Sequence, residues 1–273
     1  MLSKRNKTGL GVIVVILAFV FLLVLLRNHS ETLPVLKSLH KVESSGRLRV
    51  VTDGSSLGFK VIGNKLTGFN YELAKAFADS MGLELEVVLN NDFDSCVTEL
   101  SEGNCDIAAL CIPTTANLKT RVAFSAPIYS SRQVLVQCAY SDSVIHNIIF
   151  EQRYLSKDSI CISKDSPHRF RLENLSNEIA KPIKIVELEG KTTEDLVKMV
   201  AEGKIKYTIC DELQARKLQK TYSNIDIDMA VGFNQPLAWA VSSKSKELLT
   251  KLNDFLNDFL VSSDYWEIYR RYF

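Results

Sequence analysis

The sequence has almost no excess charge of either sign. Over 273 residues, 33 Lys and Arg stand against 32 Asp and Glu, a net charge of +1. That balance leaves no electrostatic footprint for nucleic acid, and no long acidic or basic run supplies one locally. Histidine is scarce: only His29, His40, His146 and His168 are present. They are scattered, with no nucleophile–base spacing around them, so no catalytic set is legible and an enzyme is not expected. The six cysteines (Cys96, Cys105, Cys111, Cys138, Cys161 and Cys210) lack the paired CxxC spacing of a zinc site, so neither a metal nor another cofactor is expected. Cys111, Cys138, Cys161 and Cys210 lie in or beside apolar, strand-like runs, where cysteine serves as a small core residue. In an oxidising space, Cys96 with Cys105 is the first disulfide to test.

What the sequence does have begins at its N-terminus. Lys4, Arg5 and Lys7 precede an uncharged, mostly aliphatic run from Thr8 to Leu26. At about 1.5 Å per residue this run is long enough for one bilayer core. A cleaved signal peptide is the alternative, but it would need small residues where Val24, Leu25, Leu26 and Arg27 stand. The run therefore reads as an uncleaved anchor: residues 1–7 a cytoplasmic basic leader, 8–26 a transmembrane helix, 27–46 a polar tether. The remainder would be periplasmic, in a single-pass protein of the inner (cytoplasmic) membrane.

Beyond the tether, strands alternate with helices. Leu48 to Thr52, Leu85 to Leu89 and Asp106 to Cys111 read as strands; Tyr71 to Met81 and Phe93 to Glu102 read as helices, stopped by Gly82 and Gly103. The pattern recurs with strands at Ser159 to Ser163, Ile183 to Leu188 and Lys206 to Cys210, and a helix from Thr192 to Glu202 that opens on a Thr192-x-x-Asp195 capping box. Glu102-Gly103 and Glu202-Gly203 precede corresponding strands at an offset of one hundred, and Asp53 and Asp165 each follow the first strand of a unit. Two similar α/β lobes follow from this layout.

Ligands of open parallel sheets bind beyond the carboxyl ends of the strands. The expected cleft lining is therefore Asp53 to Phe59, Cys111 to Leu118, Asp165 to His168, and Asp211 with Glu212. Two long extended stretches, Ser131 to Tyr140 and Ile225 to Val241, suit the two crossings of a hinge. Residues 47–138 and 232–273 would then form lobe 1, with C-terminal helices from Lys246 to Phe273 packed on it, and residues 139–231 would form lobe 2.

The residues of this layout resemble the family 3 extracellular solute-binding proteins. The resemblance rests on Leu48 to Thr52, on Thr67-Gly68-Phe69-Asn70-Tyr71-Glu72-Leu73-Ala74, on Glu102-Gly103-x-x-Asp106-Ile107-Ala108-Ala109, and on Phe124-Ser125-Ala126-Pro127-x-Tyr129. It is closer still to the N-terminal solute-binding-like domain of membrane-bound lytic transglycosylase F, through the helix Tyr71 to Asp79 and the strand Gln235 to Ala240. It covers about residues 47 to 273. It implies a two-lobed periplasmic-binding-protein type II fold and a small amino-acid-like or amine-bearing ligand. The implied partners are that ligand, the membrane through the N-terminal helix, and an ABC permease or a cell-wall enzyme.

Two departures qualify what the resemblance implies. No transglycosylase domain is expected after Phe273, and so no counterpart of that domain's general-acid Glu. The family's carboxylate-binding Gly-x-Thr-x-Thr-x-x-Arg aligns with Cys111, Pro113, Thr115 and Leu118, which puts a leucine at the arginine. Arg121 or Lys119 is either a substitute or a surface charge. By resemblance, Asp211 serves the ligand's amino group or is a helix N-cap. Phe59 and Phe93 face the ligand or fill core, while Phe69 and Tyr71 are assigned to core. Ser166 and His168 belong to a ligand-facing loop of lobe 2. The expected ligand-binding set is Asp53, Phe59, Phe93, Thr115, Ser166 and Asp211. The expected function is a solute-binding domain for transport or sensing. The alternatives are a non-binding regulatory pseudo-receptor acting with cell-wall enzymes, and a transglycosylase relative without its catalytic domain.

Overall fold

The computed structural model describes residues 39–139 and 148–273. In lobe 1, β1 (Arg47–Thr52) lies between β4 (Glu84–Leu89) and β5 (Ile107–Pro113), all parallel. The crossover helix α2 (Phe69–Ser80) buries Phe69, Leu73, Ala74 and Phe77, the i, i+4 stripe that faces a sheet. The second crossover, α3 (Phe93–Glu102), starts where the Asp92 carboxylate accepts the Ser95 N–H at 2.9 Å. It ends on Gly103 in the left-handed conformation.

Lobe 2 repeats the plan. β9 (Ser159–Ser163) lies between β10 (Lys184–Leu188) and β11 (Tyr207–Asp211), so the order β10-β9-β11 repeats β4-β1-β5. The helices are α5 (His168–Glu178), α6 (Thr193–Ala201) and α7 (Glu212–Gln219). The expected capping box closes α6: the Asp195 N–H donates to Thr192 Oγ1 and the Thr192 N–H to Asp195 Oδ2.

Each sheet carries an apolar cluster on both faces. In lobe 1, Phe69, Phe77 and Trp239 pack with Leu248, Leu252, Leu256 and Ile268 from α8 (Lys246–Phe259) and α9 (Ser263–Tyr272) on one face. Phe93, Val97 and Leu100 pack on the other. Leu135, Ile160 and Leu172 lie on one side of the lobe 2 sheet, Val134, Val197 and Val200 on the other. Among the described residues no cluster spans both lobes.

The lobes are joined by two crossings. The first runs from β7 (Tyr129–Ser131), which pairs with β13 (Gln235–Ser242) in lobe 1, to β8 (Gln133–Cys138), which pairs antiparallel with β11 in lobe 2. The chain therefore changes lobe at Arg132, earlier than the expected exit near Cys138. An apolar run that fits either sheet does not reveal which one it joins. The return passes from the Val134–Ala230 bridge to Gln235.

Other differences from expectation stand out. Residues 39–45, at the end of the stretch read as tether, are helical (α1), and Val42 is buried in lobe 1. A hairpin of β2 (Lys60–Ile62) and β3 (Lys65–Thr67) occupies what read as loop. All six cysteines are free, Cys96 and Cys105 included. The inner-membrane, single-pass localisation is also corrected. Among the described residues no helix is long and apolar enough to cross a membrane. The leader, the run at 8–26 and the tether up to residue 38 lie outside the described residues.

Candidate functional site

A cleft of about 880 Å³, open mouth included, lies between the lobes. Its walls are strand carboxyl ends and the turns that leave them, as the sheet rule requires. Lobe 1 contributes Asp53 and Leu57 after β1, Asn90 and Asn91 after β4, Phe93 and Cys96 from α3, and the end of β5. Lobe 2 contributes Ser163, Lys164, Ser166 and His168 between β9 and α5, Thr192 and Thr193 before α6, and Asp211 with Gln214 at α7. Arg132 and Gln133 come from the first crossing, Gln235 and Leu237 from β13.

Four of the six residues expected at the site line this cleft: Asp53, Phe93, Ser166 and Asp211. Phe59 does not. The Asp53 carboxylate accepts the Ser55 N–H at 3.0 Å and the Ser55 hydroxyl at 2.5 Å, which turns the chain at once. Phe59 is carried to an outer groove, edge-on to Tyr71 with ring centroids 5.1 Å apart. Thr115 is displaced too. Its hydroxyl accepts the Leu118 N–H at 3.4 Å in a neighbouring groove shared with Phe93 and Ser166. Leu118 is buried in the lobe 1 core, and Arg121 turns away, its Nη1 donating to Asp94 Oδ1 at 2.5 Å. Sequence reasoning missed Arg132, Gln133, Asn90 and Thr192. The strand-end rule applied to β4 and β10 would have found the last two, and reading the crossings as wall as well as hinge would have found the others.

The electrostatics of the cleft are those of buried acids. Burial pushes the Asp211 carboxyl up to about 6, against the Ser131 hydroxyl and the Leu213 and Gln214 N–H groups, which favour the charged form. Asp211 is also the N-cap of α7, accepting the Leu213 N–H at 3.1 Å. Asp53 is raised by burial, against its two bonds from Ser55. His168 is pushed down to about 4 by burial, and its Nδ1 finds no partner. Cys111 occupies the left-handed region at φ 48 and donates its thiol to Asn70 Oδ1 at 3.0 Å, an oxygen that also accepts Trp239 Nε1–H at 2.9 Å. Burial raises that thiol far above its ordinary value, so it is not a nucleophile.

The lobes also touch beside the cleft. Glu194, in the first turn of α6, accepts the Ser56 N–H at 2.9 Å and the Lys60 ammonium at 2.8 Å, both from lobe 1. Lys164 is 3.0 Å from Glu189 and 3.8 Å from Asp92 across the cleft.

Two α/β lobes with repeated strand order, two crossings and a cleft at the strand ends define a two-lobed periplasmic-binding-protein type II fold. Solved structures agree. An ancestral arginine-binding protein bound to arginine superposes with a TM-score of 0.71 at 24% identity, covering 84% of this chain and 98% of that one. An ancestral amino acid-binding protein described as a precursor of cyclohexadienyl dehydratase gives 0.70 at 23%, covering 86% and 99%. An amino acid ABC transporter substrate-binding protein from Streptococcus pneumoniae, bound to L-arginine, gives 0.70 at 21%, covering 85% and 96%. Residues 48–273 match the model of the bacterial extracellular solute-binding proteins, family 3, and the chain belongs to that family.

Curated relatives named membrane-bound lytic murein transglycosylase F are also similar. The protein from Desulfosudis oleivorans is 28% identical over 238 residues, 87% of this chain and 51% of its own length. That from Ectopseudomonas mendocina is 29% identical over 239 residues, 86% and 47%. This chain thus spans about half the length of the curated relatives it matches.

Proposed function

We propose that this chain binds a small polar ligand between its lobes and closes on it, to deliver the ligand to a transporter or to sense it. The observation that carries this is the cleft itself. It gathers buried polar groups from both lobes, including His168 Nδ1 and Ser163 Oγ without partners. Native interiors rarely leave such groups unpaired, and a ligand is what would satisfy them. Family membership and the amino-acid-bound relatives support binding over catalysis. Asp211, Ser166, Phe93 and Asp53 are the contacts this reading assigns. A thermal-shift screen tests it. A ligand at a hundred times its Kd adds about 2.7 kcal/mol, a rise of several degrees in Tm. No response to any small polar molecule would sink the reading.

A second reading is favoured by one observation, the similarity to about half of the transglycosylase relatives. In that reading the domain is a regulatory partner of a cell-wall enzyme and its cleft binds nothing. It predicts no thermal shift with small molecules, together with a change in muropeptide release when the chain is added to such an enzyme.

A further inference from the structure

The charges lining the cleft do not suit an anion. Asp53 and Asp211, both half-buried, are its two carboxylates. Its two cations are already engaged. Arg132 forks onto Glu212 through Nε at 2.7 Å and Nη2 at 3.1 Å, and Lys164 is held by Glu189. His168 is neutral near pH 7 because burial disfavours its charged form. Of the nearby basic side chains, Arg121 pairs with Asp94 and Lys60 with Glu194. Leu118 gives a packed apolar surface. Among the described residues lining the cleft, none offers an unpaired positive charge. A carboxylate entering it would be desolvated beside two acids with no partner, which costs orders of magnitude in affinity.

The same cleft suits a cation with an apolar body. Asp211 stands at its lobe 2 wall, and Leu57, Phe93, Ile112 and Leu237 supply apolar surface. An ammonium group on Asp211 would recover the ionisation that burial suppresses, and an alkyl chain would cover the apolar wall.

We propose that the cleft takes a cationic amine that carries no carboxylate, its ammonium group on Asp211 and its apolar body against Phe93, Ile112 and Leu237. This rests on the reading of the cleft as a ligand site.

Titration calorimetry on the full chain with two matched pairs, agmatine against arginine and cadaverine against lysine, tests it. Each pair differs only by the carboxylate. At least one amine is expected to bind, at least about tenfold tighter than its parent amino acid. Asp211→Asn keeps the N-cap of α7, since Asn caps as well as Asp. It is expected to weaken the amine at least about tenfold with the fold retained, its circular-dichroism spectrum matching the parent's. An amino acid that binds as tightly as its amine overturns the proposal and leaves ligand binding intact. Unchanged amine affinity in Asp211→Asn overturns it as well. If neither these compounds nor a wider set of amines and amino acids binds, both the proposal and the reading it rests on fall.

Discussion

Asp211 and His168 face one cleft and are both driven toward neutrality by burial, yet their effects on stability run in opposite directions with pH. The folded-state value of Asp211 rises from 3.8 to about 6. Its contribution to stability is full below 3.8 and is lost as pH climbs through 6. Burial raises it most and the charge of Glu212 raises it further, while Ser131 and the Leu213 and Gln214 N–H groups pull it down. His168 falls from 6.5 to about 4, so its contribution is full above 6.5 and is lost as pH drops through 4. Between about pH 4 and 6 the two slopes oppose, and the Tm of the ligand-free protein should vary little from these groups. Asp211→Asn removes the falling limb, so its Tm should climb with pH across that interval relative to the parent. His168→Gln should do the reverse. Parallel profiles for all three proteins, measured by calorimetry, would show that neither group titrates as described. The same linkage acts on binding. A cationic ligand on Asp211 requires the ionised form, so affinity should be level above about pH 7 and decline below 6, approaching tenfold per unit.

At the scale of elements, α6 carries the contact that couples the lobes. Its capping box fixes the first turn, and that turn aims Glu194 at Ser56 and Lys60. The Lys60 side chain is 38% exposed and Glu194 22%, so the pair is worth about 1 kcal/mol at most. Glu194→Gln should therefore leave Tm nearly unchanged and weaken ligand binding roughly threefold, mostly through faster dissociation. In a double-mutant cycle with Lys60→Met the two losses should not add. Full additivity would mean that the contact does not act on the bound state.

The capping box of α6, the glycine stop of α3 and the cap at Asp211 were all legible because each is a local pattern with a local cause. The doubled strand order was legible for the same reason, being built from those punctuated units. Phe59 and Thr115 were not, because a short turn decides their direction. The Ser55 bonds to Asp53 reverse the chain before Phe59, and the one-turn α4 (Ala116–Lys119) draws Thr115 aside. The point of lobe change was hidden too. Val134, Leu135 and Val136 are apolar on both faces, so the sequence pattern fits either sheet equally well.

Among the described residues the lobes share no apolar cluster, and two crossings and a few polar contacts join them. Besides those of Glu194, they include Lys164 with Asp92, the Lys217 ammonium on the Arg271 carbonyl at 2.9 Å, and Lys220 on that of Phe273 at 3.3 Å. Polar, partly exposed contacts of this kind are weak individually. Lobes held that loosely, on a hinge at Arg132 and residues 231–234, are expected to exchange between open and closed arrangements. A ligand that touches both walls binds the closed one better and shifts the population by its differential affinity. A gap of about 2.7 kcal/mol moves an even mixture to about 99% closed. Small-angle scattering should therefore show a radius of gyration that falls by about 1 Å on saturation with ligand. In Glu194→Gln the ligand-free radius should sit nearer the open value, while the saturated radius matches the parent. A radius that does not change with ligand, in a protein shown calorimetrically to be saturated, would mean that the cleft is a preformed pocket. Binding would then owe nothing to lobe motion, and the threefold effect predicted for Glu194→Gln should vanish with it.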